Sequence, residues 1–487
     1  MNARLDIAAP ESVPTATVTI ERMRAGFDAQ RAAFAADMLP SRDARVDRLD
    51  RLLRLTEKYQ AAIADAIAAD FGHRSRHETD LAEIFLVMSA IRHTRRHVGR
   101  WMKPRRVATP LQMLPARSEL IPQPLGVVGI ISPWNYPYQL GMLPAAEAIA
   151  AGNRVMLKPS ELTPSFSALL RGIVAEFFSP EEFVVVAGDV EVGRAFSHLA
   201  FDHLFFTGST AVGRHVALAA AENLTPVTLE LGGKSPAIID IDCDLAIAVP
   251  RIAFGKLLNA GQTCVAPDYL LVPRGRADEV VAALKSAVTE MYPSFGANPD
   301  YTSIVSDRHY QRLVRLVEDA TRGGATAIRL TASGEESAAA TRKLVPTLLV
   351  GVTDDMAVMR EEIFGPLLPI VPYDTLDEAI AYVNRHPRPL ALYWFGRNSA
   401  NRDRVLTRTI SGGVTINDAC WHVAQGNLPF GGVGASGSGS YHGEQGFRTF
   451  SKEKPVLHQA RINGFGLFRP PYGRHFETMI SLLKRYL

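Results

Sequence analysis

A cysteine, a glutamate and an asparagine stand where their side chains could do covalent chemistry. Cys264 closes the run NAGQTC and is one of only three cysteines, with Cys243 and Cys420, in 487 residues. A thiol in that position can pack, ligate a metal, form half of a disulfide or act as a nucleophile. Nucleophilic action needs the thiolate, and a free thiol with a pKa of about 8.5 is only slightly ionised at neutral pH. Glu230 lies in LELGGKSP among apolar neighbours, ahead of two glycines. A carboxylate there is costly unless it is paired, hydrated or protonated. Those conditions serve a structural carboxylate and a general base tuned toward neutrality equally well. Asn135 lies in SPWNYP between prolines, where its amide either shapes a turn or is held rigidly enough to donate to an oxyanion.

Two further stretches suit binding rather than bond-making. The turn FTGSTAVG follows a strand-like run and precedes a helix-like one. Gly208 and Gly213 permit close backbone approach there, and a helix N-terminus favours phosphate. The stretch lacks GxGxxG spacing, so an ordinary strand-to-helix turn remains open. LKPSE, Leu157 to Glu161, also follows a strand-like run. Lys158 and Glu161 could bond a ribose diol or simply pair with each other at the surface.

These residues need a scaffold, and the chain is long enough to build one in two or more domains. Apolar residues make up 47% and charged residues 21%, a globular composition. Net charge is only +3, from 53 basic and 50 acidic residues, so no global field draws nucleic acid or anionic membrane. The basic cluster Arg92 to Arg100 reads as a solvated face or subunit contact. The cysteines form no CxxC pair and no even framework, which points to a reducing compartment, the cytoplasm. No HExxH and no Cys/His cluster occurs, so no metal is expected. The opening MNARLDIAAPESVPTATVTI lacks the continuous apolar stretch of a secretory signal. The uncharged span between Glu119 and Glu147 is interrupted by five prolines, from Pro122 to Pro144, and reads as a core strand and turn rather than a membrane helix.

Thr19 to Trp101 has helical periodicity, with RVDRLDRLLRLTEKYQAAIADAIAADFG stopping at Gly72. ARSELIPQPLGVVGIISP reads as an extended arm feeding a buried strand. Short apolar runs then alternate with helical ones: NRVMLKPS, EFVVVAG, HLFFTGS and VTLELGG as strands, SFSALLRGIVAEFF, EVGRAFSHLA and AVGRHVALAAAE as helices. Such alternation predicts a parallel sheet covered by helices. A second α/β region follows Lys234, with strands PAIID, YLLVP, TLLVGV, LPIVPY and LALYWFG and an exposed loop at TASGEESAAATRK.

PWNYP, KPSE, FTGSTAVG, LELGGKSP, NAGQTC, EEIFGP and LPFGGVGASGSG occur in that order. The series resembles the aldehyde dehydrogenase superfamily over essentially the whole chain from the first helices onward. CVAPDYLLV and SGSYHGEQGFRTFSKEKPV are similar to its class-3 branch. The resemblance implies an α/β fold with a Rossmann-like cofactor domain, a second α/β catalytic domain and a small β oligomerisation arm. In this sequence the parts would be N-terminal helices at 1–105, an arm at 106–124 and the cofactor core at 125–232. The catalytic domain would follow at 233–412, a return segment at 413–450, and an oligomerisation strand with a C-terminal tail at 451–487.

By the same resemblance, Cys264 would attack an aldehyde carbon while Asn135 and the Cys264 backbone N–H hold the oxyanion. Glu230 would activate the water that releases the acid. Lys158 and Glu161 would hold the adenosine ribose of NAD, with NADP tolerated. Ser209, with Gly208 and Gly213, would meet the pyrophosphate, and Trp134, Glu362 and Phe364 the nicotinamide end. The implied reaction is oxidation of an aromatic or medium-chain aldehyde, coniferyl aldehyde foremost, to the acid in a cytoplasmic homodimer. Broad fatty-aldehyde oxidation, a CoA-acylating variant and a redox-free cysteine hydrolase are the alternatives. Cys243 is expected to be structural. Cys420, Trp421 and His422 are expected either near the substrate mouth or in simple packing. FETMISLLKRYL reads as an amphipathic helix too short to cross a bilayer.

Overall fold

The computed structural model describes residues 16–332 and 334–486. The opening segment tested for a signal peptide lies almost wholly outside them. The N-terminal helices are Ala16–Ala36, Arg42–Phe71 and Leu86–Trp101. The second begins where Ser41 accepts a hydrogen bond from the Ala44 N–H and ends at Gly72, whose φ of 76° suits a helix stop. Its Leu49, Leu52, Ile63 and Ile67 share one buried stripe, which packs this helix against Pro164–Phe177.

The first sheet has six strands in the order Gly437–Ser438, Val227–Glu230, His203–Thr207, Val127–Ile131, Arg154–Lys158, Phe183–Val185. All neighbours are parallel except the first pair, where Gly437 lies opposite Glu230. The chain leaves Val127–Ile131 first to one side and then, after Phe183–Val185, to the other. This reversal opens a crevice beyond the carboxyl ends of Val127–Ile131 and His203–Thr207, the place where open α/β sheets bind ligands. Helix Gln139–Ala151 is buried along its whole length, so its apolar residues on every face are a packing requirement rather than a membrane signal.

The second sheet has seven strands, Thr326–Arg329, Thr347–Val350, Leu367–Tyr373, Tyr269–Pro273, Pro236–Ile239, Ala391–Phe395 and Gly413–Ile416 in spatial order. Two of them, Thr326–Arg329 and Gly413–Ile416, were not read from the sequence. They are edge strands, partly exposed on both faces, so they lack the continuous apolar run that marks a buried strand. Gly413–Ile416 also carries this sheet past the boundary expected at 412. A third sheet pairs Arg117–Pro124 with Arg105–Val107 on one side and Ser451–His458 on the other. The C-terminal residues form the helix Arg474–Tyr486. Among the described residues no helix is long and apolar enough to cross a membrane.

Candidate active site

NAGQTC follows helix Leu245–Leu257 through a backbone held in the left-handed region, with φ of 55° at Asn259, 53° at Ala260 and 77° at Gly261. Non-glycine residues there cost about 1–3 kcal/mol each, so their surroundings must enforce the conformation. Glu78 accepts from the Asn259 N–H with both carboxylate oxygens at 3.2 Å. The Gln262 amide donates to the carbonyls of Asn259 and Ser303 at 3.0 and 3.1 Å and accepts from the Val305 N–H at 2.9 Å. A Cβ on Gly261 would lie 2.3 Å from the Gly365 carbonyl oxygen, so only glycine fits. The Gly-Gln-Thr before the cysteine is therefore a clamp that aims the thiol.

Asn135 arrives from the carboxyl end of strand Val127–Ile131 and is 3% exposed. Its carbonyl accepts from Arg74 Nη1 at 2.7 Å and from Asn259 Nδ2 at 3.0 Å, and its own Nδ2 donates to the Gln262 carbonyl at 3.1 Å. One Nδ2 hydrogen stays available. The Cys264 N–H has no backbone acceptor among the described residues. Asn135 and Cys264 line the same cavity and each keeps a donor N–H without a backbone acceptor, the components an oxyanion site requires.

Glu230 ends strand Val227–Glu230 and is 2% exposed, and neither carboxylate oxygen has a hydrogen-bond partner among the described residues. Burial raises its pKa well above the ordinary carboxylate value. This agrees with a base poised away from its solution pKa and disagrees with a satisfied structural carboxylate. Burial, and then the nearby carboxyls of Glu362 and Glu230, push the Cys264 pKa up rather than down. The isolated chain keeps Cys264 as a thiol, and a base or an added positive charge must help it ionise.

Cys264 borders two cavities. One, of about 630 Å³, runs along the crevice past Lys158, Glu161, Gly208, Ser209, Glu362 and Phe364 to Asn135 and Glu230. Lys158 donates to Glu161 at 3.3 Å, so their ion pair and their place on the cleft wall hold together. Ser209 caps helix Thr210–Glu222, and the N–H groups of Thr210 and Ala211 find no acceptor among the described residues. Thr207 Oγ1 is likewise unpartnered. Free helix N-terminal donors at one point, with a carboxylate and an ammonium group further along, suit a ligand with a pyrophosphate and a ribose diol.

Trp134 meets Phe364 edge-on with ring centroids 5.4 Å apart. A Cβ on Gly232 would collide with the Glu362 carboxylate, whose pKa burial and then Asp268 raise to about 8. Gly213 is a correction. It does not line the cleft; a Cβ there would lie 2.6 Å from Leu231 Cδ2, so this glycine seats the helix on the strand end. Arg308, His309, Arg312 and Arg315 also border the cleft. They lie on helix Asp307–Arg322, between NAGQTC and EEIFGP in the sequence, and no phosphate or ribose motif marked them.

The second cavity opens on the other side of the thiol, between Leu81, Leu86, Phe254, Leu258, Trp421 and Val423. Leu81 belongs to a π-helical turn, Asp80–Phe85, a feature frequent at functional sites. Cys420 and Trp421 line this cavity. His422 does not; it turns away to bond Thr415 Oγ1 at 2.8 Å, and burial lowers its pKa to about 4. Cys243 is buried and lines neither of these cavities. Lys256 was not anticipated. It is 3% exposed with no partner for Nζ, and burial lowers its pKa to about 8. No pattern flags it, because the charged groups that act on it, at Asp268, Lys234, Glu362 and Cys420, come from other segments of the chain. No group of three potential metal ligands occurs among the described residues.

Residues 12–456 match the model of the aldehyde dehydrogenase family. A probable coniferyl aldehyde dehydrogenase from Pseudomonas aeruginosa is 52% identical over 464 residues, covering 95% of this chain and 96% of that protein. The substrate-bound structure of Staphylococcus aureus AldH superposes with a TM-score of 0.90 at 40% identity, covering 95% of this chain and 99% of that one. A Mycobacterium tuberculosis aldehyde dehydrogenase complexed with NAD+ superposes with a TM-score of 0.80 at 30% identity, covering 91% and 90%.

Proposed function

The chain belongs to the aldehyde dehydrogenase family, and from that premise we propose that it oxidises coniferyl aldehyde to ferulate with NAD, and other aromatic or medium-chain aldehydes likewise, using Cys264, Glu230 and Asn135. The observation that carries this reading is the place of Cys264 at the joint of two cavities. One carries the charged and hydroxyl side chains Lys158, Glu161, Ser209 and Glu362 along its wall; the other is walled by apolar side chains. The relative of highest identity considered above bears coniferyl aldehyde in its name, and an aromatic ring suits a cavity bordered by Phe254, Trp421 and Phe430.

In this mechanism Cys264 adds to the aldehyde carbon, and the growing oxyanion takes hydrogen bonds from Asn135 Nδ2 and the Cys264 N–H. NAD, when bound, supplies the hydride acceptor and a positive ring that eases ionisation of the thiol. The thioester left on Cys264 then needs water. Glu230, buried and without a fixed partner, can take the proton of that water. Lys158 and Glu161 would hold the adenosine ribose, and the carboxylate of Glu161 would repel a 2′-phosphate, favouring NAD over NADP. The donors at Ser209 to Ala211 would hold the pyrophosphate, and Glu362, Phe364 and Trp134 the nicotinamide end. Because Glu230 activates water, no CoA is needed for release.

We further propose a cytoplasmic homodimer. Ser451–His458 is an edge strand with Leu457 48% exposed, and such edges are covered in stable assemblies. The three cysteines are unpaired, as in a reducing compartment.

The test is absorbance of reduced nicotinamide on mixing enzyme, NAD and coniferyl aldehyde without CoA, with mass spectrometry of the quenched reaction. NADH formation and an acyl mass on the peptide holding Cys264 are expected, both lost in Cys264→Ala. Turnover only after CoA is added, or near-parental turnover by Cys264→Ala, overturns the reading.

A further inference from the structure

Among the described residues, the apolar cavity has one side-chain amide, and its hydrogen bonds are not used. No acidic or basic residue lines it. The hydroxyls of Tyr136 and Thr263 bond each other at 2.7 Å, and Thr263 Oγ1 also donates to the Leu258 carbonyl at 3.3 Å. The Cys420 thiol lies against the carbonyls of Val265 and Gly255 at 3.6 and 3.7 Å. Gln139 differs. It opens the buried helix Gln139–Ala151, is 5% exposed, and its backbone N–H is held by Glu83 Oε2 at 3.0 Å. Its side-chain amide borders the cavity and has no hydrogen-bond partner among the described residues. A primary amide with donor and acceptor both unused in an apolar wall offers two hydrogen bonds to whatever enters the cavity.

Its position indicates which part of a ligand it would meet. Leu140, Cys264 and Phe430 border both cavities and so mark the reacting end. Gln139, beside Leu140 on the same helix, borders the substrate cavity and does not line the cofactor cleft. The backbone hydrogen bond to Glu83 is itself anchored, because Glu83 and Arg74 form an ion pair in which both side chains are 0% exposed. The amide is therefore mounted on a rigid support.

We propose that Gln139 is a specificity-determining residue that reads a neutral hydrogen-bonding substituent, such as a ring hydroxyl, on the part of the aldehyde remote from the carbonyl. An amide can accept from a phenol and donate to a methoxy oxygen, whereas a distal carboxylate or ammonium group would find no countercharge in this wall. A purely hydrocarbon aldehyde would leave the amide unpaired. The inference rests on the proposed aldehyde oxidation and narrows its substrate class.

The experiment compares kcat/KM of the parent and Gln139→Met, a near-isosteric change, for 4-hydroxy-3-methoxycinnamaldehyde, cinnamaldehyde and decanal. Loss of the amide should lower kcat/KM for the hydroxylated aldehyde roughly tenfold or more, while the other two stay within about twofold or improve. Retained decanal turnover shows that the variant is folded. Equilibrium binding of the two cinnamaldehydes to Cys264→Ala, with and without Gln139→Met, should show the same selective loss. An equal fall for all three aldehydes, or an unchanged ratio between the two cinnamaldehydes, overturns the role of Gln139. A parent enzyme that oxidises none of the three overturns the functional reading itself.

Discussion

Replacing Glu230 with glutamine tests the division of labour at the site. The side chain is 2% exposed, sits at a strand end opposite Gly437, and has no hydrogen-bond partner among the described residues. Glutamine fills the same volume, so the thiol, Asn135 and the cofactor cleft should keep their places. Only the proton acceptor is lost. A positioned general base contributes roughly 10²–10⁴ in rate, so thioester hydrolysis should slow by that factor. Acylation should suffer less, giving a rapid burst of about one NADH per Cys264 followed by slow steady turnover. Stopped-flow absorbance reads both phases, and mass spectrometry of the steady state should find the acyl adduct. Stability supplies an independent check. Burial raises the Glu230 pKa in the folded state, so the unfolded chain releases the proton first as pH rises. The parent therefore loses stability from the unfolded value of about 4.3 upward through the raised folded value. Glu230→Gln removes this dependence, and its Tm relative to the parent should climb with pH over that window. Steady turnover equal to the parent, or no burst together with no adduct, would refute the assignment of Glu230 to deacylation.

Asn135→Ala removes one of the two proposed oxyanion donors and should lower kcat by about 10²–10³, with little change in NAD binding measured by fluorescence titration. In the cofactor-free enzyme, Glu362→Gln should speed iodoacetamide alkylation of Cys264 above about pH 8 and leave it unchanged well below. The Glu362 pKa is raised to about 8, so its negative charge opposes the thiolate only once it has ionised. A pH–rate profile identical to the parent's would sink that account. Gly261→Ala places a Cβ 2.3 Å from the Gly365 carbonyl oxygen at a φ of 77°. It should reduce both the Tm and the alkylation rate of Cys264, because the clamp that aims the thiol must open.

Several residues that the sequence singles out border one cleft in the fold. Cys264, Glu230 and Asn135 are legible because each occupies a short rigid context: a Gly-Gln-Thr turn, a strand end before two glycines, a proline-bracketed turn. Such contexts are local, and local backbone chemistry is what a sequence displays. Most strands and helices are legible for the same reason, since burial of one stripe or of a whole strand leaves a periodic or continuous apolar run. The edge strands Thr326–Arg329 and Gly413–Ile416 leave none.

What tertiary structure alone decided concerns groups whose environment is assembled from distant parts of the chain. Gly213 looked like a phosphate contact by spacing, yet Leu231 takes the space beside it. His422 follows Cys420 and Trp421 into the same turn but faces Thr415. Lys256 and Gln139 carry no motif, and only packing leaves the Lys256 ammonium without a partner and brings the Gln139 amide to a cavity wall. The electrostatics of Cys264 belong to this class as well. Its pKa is set by burial and by carboxylates 34 and 98 positions away in sequence, at Glu230 and Glu362. Charge interactions and desolvation depend on distance in space, and only the fold converts sequence separation into that distance.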